Sequence, residues 1–214
     1  MSKVKILGLG HPRTGTGYTA AALNKWGLEI GHEEPKPDGI VSWTLIQEDQ
    51  PQVSESKYKE RFDKMGQAYN WKRPTYDTLI YNVRNPIESL PSLVYVVISP
   101  TIKRYIKELV GVNFDSTNPI EDWIESIVNF DKIITSLNPD IIYRVEDQDD
   151  FLYYALSKRV TISRDYRPHR KKENNKSHAP FKSLIKDFGP PKEFYVDLIK
   201  KYCDDYNYPR VNFS

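Results

Sequence analysis

The 214-residue sequence contains a single cysteine, Cys203, and no apolar run that approaches the roughly 20 residues needed to cross a bilayer. One cysteine excludes intrachain disulfides and any cysteine-rich metal site, which agrees with a reducing compartment. We expect Cys203 to be a half-buried residue of the last helix. The first residues follow a strand pattern and not the basic-then-apolar pattern of a secretory signal. We therefore expect a cytoplasmic protein without membrane contact.

The sequence also lacks an excess of charge of either sign. The 31 Lys and Arg residues nearly balance 29 Asp and Glu residues, which leaves a net charge of +2. So small a charge does not attract nucleic acid in bulk, and an anionic ligand has to be held by a local group of residues. The acidic runs EDQDD and CDD lack the glycine-punctuated calcium pattern. We expect neither a nucleic-acid partner nor a metal ion.

Core-forming residues are plentiful, since 15 Tyr, 8 Phe and 4 Trp accompany a hydrophobic fraction of 39%. The length predicts a single domain over residues 1–214. Strand patterns occur at residues 3–9, 28–34, 76–84 and 140–145, and segments of helix length separate most of them. This alternation predicts an α/β fold, a doubly wound parallel sheet with helices on both faces. Ligands of such sheets bind at the carboxyl ends of the strands.

Helix patterns follow most of the strands. The first runs from Thr16 to a glycine stop at Gly27, and others lie near residues 100–110 and 119–137, from about residue 149 and from residue 181, with a break at 189–191. In NPIESLPSLVYVVIS, Asn85 is placed as the N-cap and Glu88 as the partner of a capping box. We expect Pro91 to kink or interrupt this helix.

Two segments have no regular pattern. Residues 35–39 read as a loop, and the polar stretch at residues 41–69 is expected to be helical in pieces. Residues 163–180 are basic and punctuated by proline, which predicts a loop or a flexible flap.

The stretch KILGLGHPRTGTGYTAAAL predicts an anion site, because a glycine-rich turn between a strand and a helix directs backbone N–H groups and the helix dipole at one point. Arg13 adds a fixed positive charge, and two threonines add hydroxyl groups. The candidate binding residues of this turn are Arg13, Thr14, Gly15, Thr16 and Gly17. Gly10 and Gly15 have the spacing of the nucleotide triphosphatase signature, but Thr16 stands where that signature has lysine.

PRTGT at residues 12–16 resembles the 5′-phosphosulfate loop of sulfotransferases that use 3′-phosphoadenosine 5′-phosphosulfate (PAPS), whose pattern is Pro-Lys/Arg-Ser/Thr-Gly-Thr. The same family carries an Arg at the end of a later strand and, eight residues on, a Ser that bind the 3′-phosphate. VRNPIESLPS supplies Arg84 and Ser92 at that spacing, with Ser89 as the alternative if Pro91 interrupts the helix. The resemblance implies a P-loop-like fold and cofactor contacts that extend to Tyr18.

This resemblance implies transfer of a sulfuryl group from PAPS to a hydroxyl or amine of a small-molecule or carbohydrate acceptor, with 3′,5′-adenosine bisphosphate as the product. Arg13 would stabilise the leaving phosphate as a permanent cation. Such a reaction needs a base for the acceptor's proton.

GHEE at residues 31–34 follows a strand and is expected near the turn. Sulfotransferases that act on sugars or tyrosine use a Glu in this kind of place, so Glu33 is our first candidate for the base, with His32 second and Glu34 third. His11 is a candidate sulfate contact. Trp43 is either a wall of the acceptor pocket or a core residue.

Later segments resemble the family less. YRVEDQ at residues 143–148 is similar to a strand-end segment in which Glu146 and Asp147 would be scaffold and helix-capping residues. In the flap, three basic residues are either cofactor contacts or a solvated charge run. They are Arg170, Lys171 and Lys172.

Two other functions remain open from the sequence. One is a P-loop nucleotide or small-molecule kinase, because a shared fold does not fix function, although the lysine missing after Gly15 argues against it. The other is a nucleotide-binding module without catalytic activity. Residues 35–75 and the flap would form the acceptor pocket, and their composition does not identify the acceptor.

Overall fold

The computed structural model describes residues 3–49, 72–96, 99–147, 149–166 and 180–213. Within these ranges five strands form one sheet: β1 (Lys3–Gly10), β2 (Ile30–His32), β3 (Gly39–Ser42), β4 (Thr75–Val83) and β5 (Ile141–Arg144). The strand order is β2-β3-β1-β4-β5, and every neighbouring pair is parallel. The predicted α/β class with a parallel sheet is therefore confirmed.

The helices of the described residues are α1 (Thr16–Lys25), α2 (Pro86–Val96), α3 (Pro100–Val110), α4 (Pro119–Ser136), α5 (Asp149–Ser157), α6 (Phe181–Phe188) and α7 (Glu193–Asp205). Three of them begin with proline, whose missing N–H costs nothing in the first turn and whose fixed φ suits a helix. No helix in these ranges combines the length and apolar character needed to span a membrane.

The strands bury apolar residues on both faces of the sheet. Leu7 and Leu79 belong to a core shared with α2, α3, α4, α6 and α7. Ile6 and Ile80 belong to a second core with Trp26 and with residues of α1 and α5. Each fully buried aliphatic side chain contributes roughly 1.5 to 3 kcal/mol to stability. Helices thus cover both faces, and the later residues of β1 and β4 are all buried, as in a parallel sheet that is covered on both sides.

The strand register brings the carboxyl ends of the strands to one edge of the sheet. Gly10, the last residue of β1, pairs with Asn82 of β4, and Val83 pairs with Arg144 at the end of β5. The chain leaves β1, β2 and β4 at this same edge because the strands are parallel. The segments that carry the predicted site residues therefore lie close together.

Strand β3 was not predicted, because it lies between a proline-containing loop and a segment expected to be helical in pieces. Only Ile40 and Val41 of its four residues favour a strand, which is too short a pattern to recognise. Pairing with both β1 and β2 stabilises it. The helical expectation is wrong for residues 41–49, which form strand and turns, and residues 50–71 lie outside the described residues.

Helix α2 begins as predicted and continues through Pro91, so the expected interruption does not occur. Asn85 caps it, because its side chain accepts a hydrogen bond from the N–H two residues on, at 3.0 Å. The capping box is only half formed. The backbone N–H of Asn85 donates to Glu146 at 2.8 Å, and Glu88 accepts from Arg84 instead.

Cys203 lies on α7, as predicted, but is fully buried and not half-buried. Burial raises the pKa of its thiol to about 11. Little thiolate forms near neutral pH, so Cys203 is a core residue and not a nucleophile.

Candidate functional site

The opening loop, residues 10–17, turns the chain from the end of β1 into the first turn of α1. Gly15 occupies the N-cap position of α1 with a φ of 85°, a left-handed conformation that suits glycine. A Cβ atom at Gly15 would lie 2.7 Å from Cγ1 of Val145, so the loop packs directly on the segment after β5. Gly15 makes no side-chain capping hydrogen bond to the first turn of α1, and the N-terminus of a helix favours an anion.

The backbone of the opening loop is held in a tight turn around Arg13. The N–H and the hydroxyl of Thr14 both donate to the carbonyl oxygen of His11, at 3.1 and 2.7 Å. Arg13 itself has a φ of 71°, which is uncommon for a residue with a side chain. Thr14 therefore fixes the geometry of the turn that presents Arg13.

Two arginines predicted from separate motifs meet in the structure. Nη1 of Arg84 donates to the carbonyl oxygen of Arg13 at 3.0 Å, and Nε of Arg13 donates to Oγ of Ser92 at 2.5 Å. Burial, and secondarily the nearby charge of Arg84, lowers the pKa of Arg13. Both effects disfavour the charged guanidinium, and a bound anion would offset them.

The second predicted serine, Ser89, lies about one turn before Ser92 on α2, and both are buried. Because the helix continues through Pro91, Ser92 is the serine that contacts Arg13. The backbone N–H of Ser89 donates to the carbonyl oxygen of Asn85 within the helix, at 3.1 Å. Ser92 therefore lies beside Arg13, and its contact with a 3′-phosphate stays a prediction.

Arg84 is oriented by a carboxylate scaffold at the same edge of the sheet. Its Nε lies 3.9 Å from Oε1 of Glu146, and its Nη2 donates to the exposed Glu88 at 3.2 Å. Glu146 also accepts from the backbone of Asn85 and from the hydroxyl of Tyr208, each at 2.8 Å. Glu146 is therefore a scaffold residue, as its sequence context suggests.

His32, at the end of β2, lies against the opening loop. Its Nε2 is 3.1 Å from Oγ1 of Thr16, the residue that replaces the lysine of the nucleotide triphosphatase signature. The side chain remains 41% exposed, so the imidazole also faces outward. Structure and sequence thus agree in bringing the GHEE segment to the loop.

The two glutamates that follow His32 have opposite environments. Glu33 is 4% exposed and accepts hydrogen bonds from the hydroxyl of Ser42 and from the N–H of Trp43, the latter at 3.2 Å. The Glu34 side chain is 62% exposed and lies 3.5 Å from Nζ of Lys36. In the contacts described, the Glu34 side chain pairs with Lys36 at the surface and not with the opening loop, which argues against the third candidate for the base.

Trp43 lies next to this buried carboxylate. Its ring packs edge-to-face on Tyr105, with the ring centroids 5.6 Å apart. Burial and the charge of Glu33 raise the pKa of Tyr105 above its usual range. Trp43 is therefore packed on the core, while its partial exposure leaves a role at the acceptor pocket as a prediction.

Tyr18 reaches an acidic residue that the sequence did not single out. Its hydroxyl donates to both carboxylate oxygens of Asp149, at 2.7 and 2.8 Å, and the hydroxyl of Tyr143 donates to the same carboxylate at 2.8 Å. Burial and the Asp149 charge raise the pKa of Tyr18. These hydrogen bonds connect the start of α1 to the start of α5. That Tyr18 contacts the cofactor stays a prediction.

The side chain of His11 is buried against α4, which argues against its candidate contact with sulfate. Its Nδ1–H donates to the carbonyl oxygen of Pro12 at 2.7 Å, which leaves Nε2 to accept from Ser126 at 3.0 Å. The ring packs edge-to-face on Trp123 and Phe130 of α4. Burial lowers the pKa of His11 to about 3, so the ring is neutral. It is a core residue because its position follows a buried strand.

A cavity of about 340 Å³ lies among the α3–α4 connection, the start of α4 and the start of α7. Its lining includes four acidic residues and Lys192, and none of the predicted site residues. The acidic residues are Asp115, Glu121, Asp122 and Glu125. An anionic cofactor would be repelled there, in contrast to the arginine-lined opening loop.

Comparison of the chain with protein-family models, with curated proteins and with solved structures finds no match. The flap candidates Arg170, Lys171 and Lys172 lie outside the described residues. An assignment of function therefore depends on the geometry of the opening loop and its neighbours.

Proposed function

We propose that this chain is a PAPS-dependent sulfotransferase with a hydroxyl or amine acceptor. The observation that carries the proposal is the contact between two motifs that are distant in sequence. Arg84 donates to the backbone of Arg13, and Arg13 donates to Ser92, which lies 79 residues further along the chain. The five-stranded parallel sheet is compatible with the P-loop-like fold that the resemblance implies.

A ligand with two anionic groups suits this arrangement. The N-terminus of α1 and Arg13 would bind the 5′-phosphosulfate, and Arg84 with Ser92 would bind the 3′-phosphate. Two adjacent guanidinium groups repel each other, so a ligand that offers an anion to each stabilises both. The proposed cofactor contacts are Arg13, Thr14, Gly15, Thr16, Gly17, Tyr18, Arg84 and Ser92.

In the reaction, the acceptor heteroatom forms a bond to sulfur while its proton passes to a base. The bond between sulfur and the bridging oxygen breaks, and its electron pair stays on the 5′-phosphate of 3′,5′-adenosine bisphosphate. Arg13 stabilises that growing charge as a permanent cation and gives up no proton. The base comes from the segment of His32 and Glu33, beside the opening loop.

Transfer of label from radiolabelled PAPS to a panel of sugars, phenols, amines and hydroxylated metabolites tests the proposal. We expect one acceptor class to become labelled. Arg13→Ala should lower turnover at least tenfold while weakening binding of 3′,5′-adenosine bisphosphate less, because charge on the bridging oxygen grows toward the transition state. Arg210→Ala is the matched control, since Arg210 is 67% exposed and paired with Asp204.

Three outcomes separate this proposal from its rivals. Label transfer that depends on Arg13 supports the sulfotransferase. Tight binding of the bisphosphate with no transfer to any acceptor supports a binding module without activity. Tighter binding of ATP, with phosphoryl transfer, supports a kinase, despite the threonine in the lysine position.

A further inference from the structure

His32 lies between the opening loop and solvent. Its Nε2 is 3.1 Å from Oγ1 of Thr16, and a Cβ atom on Gly17 would lie only 3.2 Å from Cε1 of the imidazole. Glycine at position 17 therefore lets the ring lie against the first turn of α1. Because the side chain is 41% exposed, an acceptor can approach it from outside.

Glu33, the first candidate from the sequence, is poorly placed to remove a proton from an acceptor. Its carboxylate is 4% exposed and accepts from Ser42 and Trp43. Hydrogen bonds to an ionised carboxylate weaken it as a base. However, Oε1 of Glu33 lies 3.8 Å from Nε2 of His32, a distance at which a carboxylate stabilises an imidazolium.

We propose that Nε2 of His32 takes the acceptor's proton, that Glu33 is a positioning residue for His32, and that the Thr16 hydroxyl occupies Nε2 until the cofactor binds. The inference rests on the sulfotransferase function proposed above. It assigns the base to His32. It also makes the ability of Nε2 to accept a proton depend on cofactor binding, because Thr16 belongs to the opening loop and contacts His32.

The proton balance of the step is simple. The acceptor's O–H or N–H bond breaks as the heteroatom bonds to sulfur, and the proton moves to Nε2. The resulting imidazolium faces the Glu33 carboxylate, which stabilises it. After the bisphosphate product leaves, the proton passes to solvent through the exposed side of the ring.

Cofactor binding changes the groups around Nε2 in a predictable direction. With Nε2 unprotonated in the neutral ring of the unbound protein, as the proposed role of His32 requires, the Thr16 hydroxyl donates to it and stabilises the neutral form. A phosphate or sulfuryl oxygen in the loop competes for that hydroxyl and brings negative charge nearby, so the protonated ring becomes more favourable. Besides Thr16, the neighbours of the ring among the described residues include the Gly17 backbone and the Glu33 carboxylate. Variants at Thr16 and Glu33 therefore separate the effect of the hydroxyl on the protonation of His32 from the effect of the carboxylate.

A titration of the histidine side chains by ¹H–¹⁵N NMR tests the link without any acceptor, with His32→Gln identifying the signal. We expect Nε2 to be unprotonated in the neutral ring, and the titration midpoint of His32 to rise when 3′,5′-adenosine bisphosphate binds. Thr16→Val should raise the midpoint of the unbound protein and shrink the shift on binding, while Thr16→Ser should behave as wild type. Either of two results would overturn the inference: a proton on Nε2 in the neutral ring, or a His32 titration midpoint that is the same with and without bound bisphosphate.

Turnover with the acceptor found above tests the assignment of the base. His32→Ala should lower kcat by about 10² to 10⁴ and recover part of it with added imidazole. Glu33→Gln should keep substantial activity and move the acidic limb of the pH profile of kcat to lower pH, because the imidazolium loses a stabilising charge. Glu34→Gln, the exposed neighbour, should match wild type. Abolished turnover in Glu33→Gln at every pH, with activity kept in His32→Ala, contradicts the proposal.

Calorimetry with 3′,5′-adenosine bisphosphate distinguishes a failure of the proposed function from a failure of the role proposed for His32. If 3′,5′-adenosine bisphosphate does not bind in calorimetry, the sulfotransferase function fails and the inference falls with it. If the bisphosphate binds but neither the His32 signal nor the His32→Ala rate responds as stated, the inference alone fails.

Discussion

Arg84 distinguishes a nucleotide with a 3′-phosphate from one without it. Charge-assisted hydrogen bonds to phosphate contribute roughly 1.5 to 3 kcal/mol each. Arg84→Ala should therefore weaken binding of 3′,5′-adenosine bisphosphate about tenfold or more, at about 1.4 kcal/mol per decade, as measured by isothermal titration calorimetry. The affinity for adenosine 5′-phosphate should hardly change.

Arg210→Ala controls for a general loss of positive charge, since that side chain is exposed and bonded to Asp204. Equal losses of affinity for both nucleotides in Arg84→Ala would remove Arg84 from the 3′-phosphate site. Such equal losses would indicate that the hydrogen bond from Arg84 to the backbone of Arg13 supports the structure of the opening loop.

Single residues were predictable from sequence where a motif fixes their spacing. The meeting of Arg13, Arg84 and Ser92 follows from two motifs at the ends of parallel strands. The burial of Glu33 was not predictable, because its hydrogen-bond donor Ser42 ends a strand that the sequence did not reveal. Asp149 was missed because its partner Tyr18 lies 131 residues away.

Among the elements, the junction of β1 and α1 depends most on one glycine. Gly15→Ala must adopt a φ of 85° and place its Cβ 2.7 Å from Val145. The left-handed conformation alone costs a residue with a side chain about 1 to 2 kcal/mol. We expect a larger loss of unfolding free energy, about 2 to 4 kcal/mol, by urea denaturation, together with weaker bisphosphate binding.

Gly111→Ala is the matched control, because Gly111 has a φ of 80° and nothing within 4 Å of an added Cβ. That variant should lose only about 1 kcal/mol from the backbone conformation and bind the bisphosphate as wild type. Equal losses in the two variants would show that the packing of the opening loop on Val145 contributes little.

The helices were easier to predict than strand β3, which lies inside the sheet between β1 and β2. Proline at the first position and asparagine before it mark the start of α2 and α4 locally in the sequence. β3, with four residues, is stable only because β1 and β2 flank it. Its existence depends on pairing between distant segments, which local patterns do not contain.

At the scale of the whole molecule, buried His11 makes stability depend on pH. Burial lowers its pKa to about 3 in the folded protein, against about 6.5 in an unfolded chain. Between these values the unfolded state binds a proton that the folded state does not, so stability falls as pH falls, by about 1.4 kcal/mol per pH unit. From about pH 6.5 to about pH 5 this residue should cost the protein about 2 kcal/mol.

His11→Gln keeps a polar side chain and removes the titration. Its unfolding free energy, measured with urea at a series of pH values, should fall less steeply than that of wild type below about pH 6.5 and run parallel to it above about pH 7. Parallel curves over the whole range would show that the ring does not stay neutral in the folded protein.

The central claim is that the opening loop and Arg84 bind a nucleotide with both a 5′- and a 3′-anion. Calorimetric titration of the wild-type protein with 3′,5′-adenosine bisphosphate and with ATP tests it most directly. We expect the bisphosphate to bind at least tenfold more tightly than ATP, a difference of about 1.4 kcal/mol or more. Tighter binding of ATP, or no binding of the bisphosphate, would contradict it.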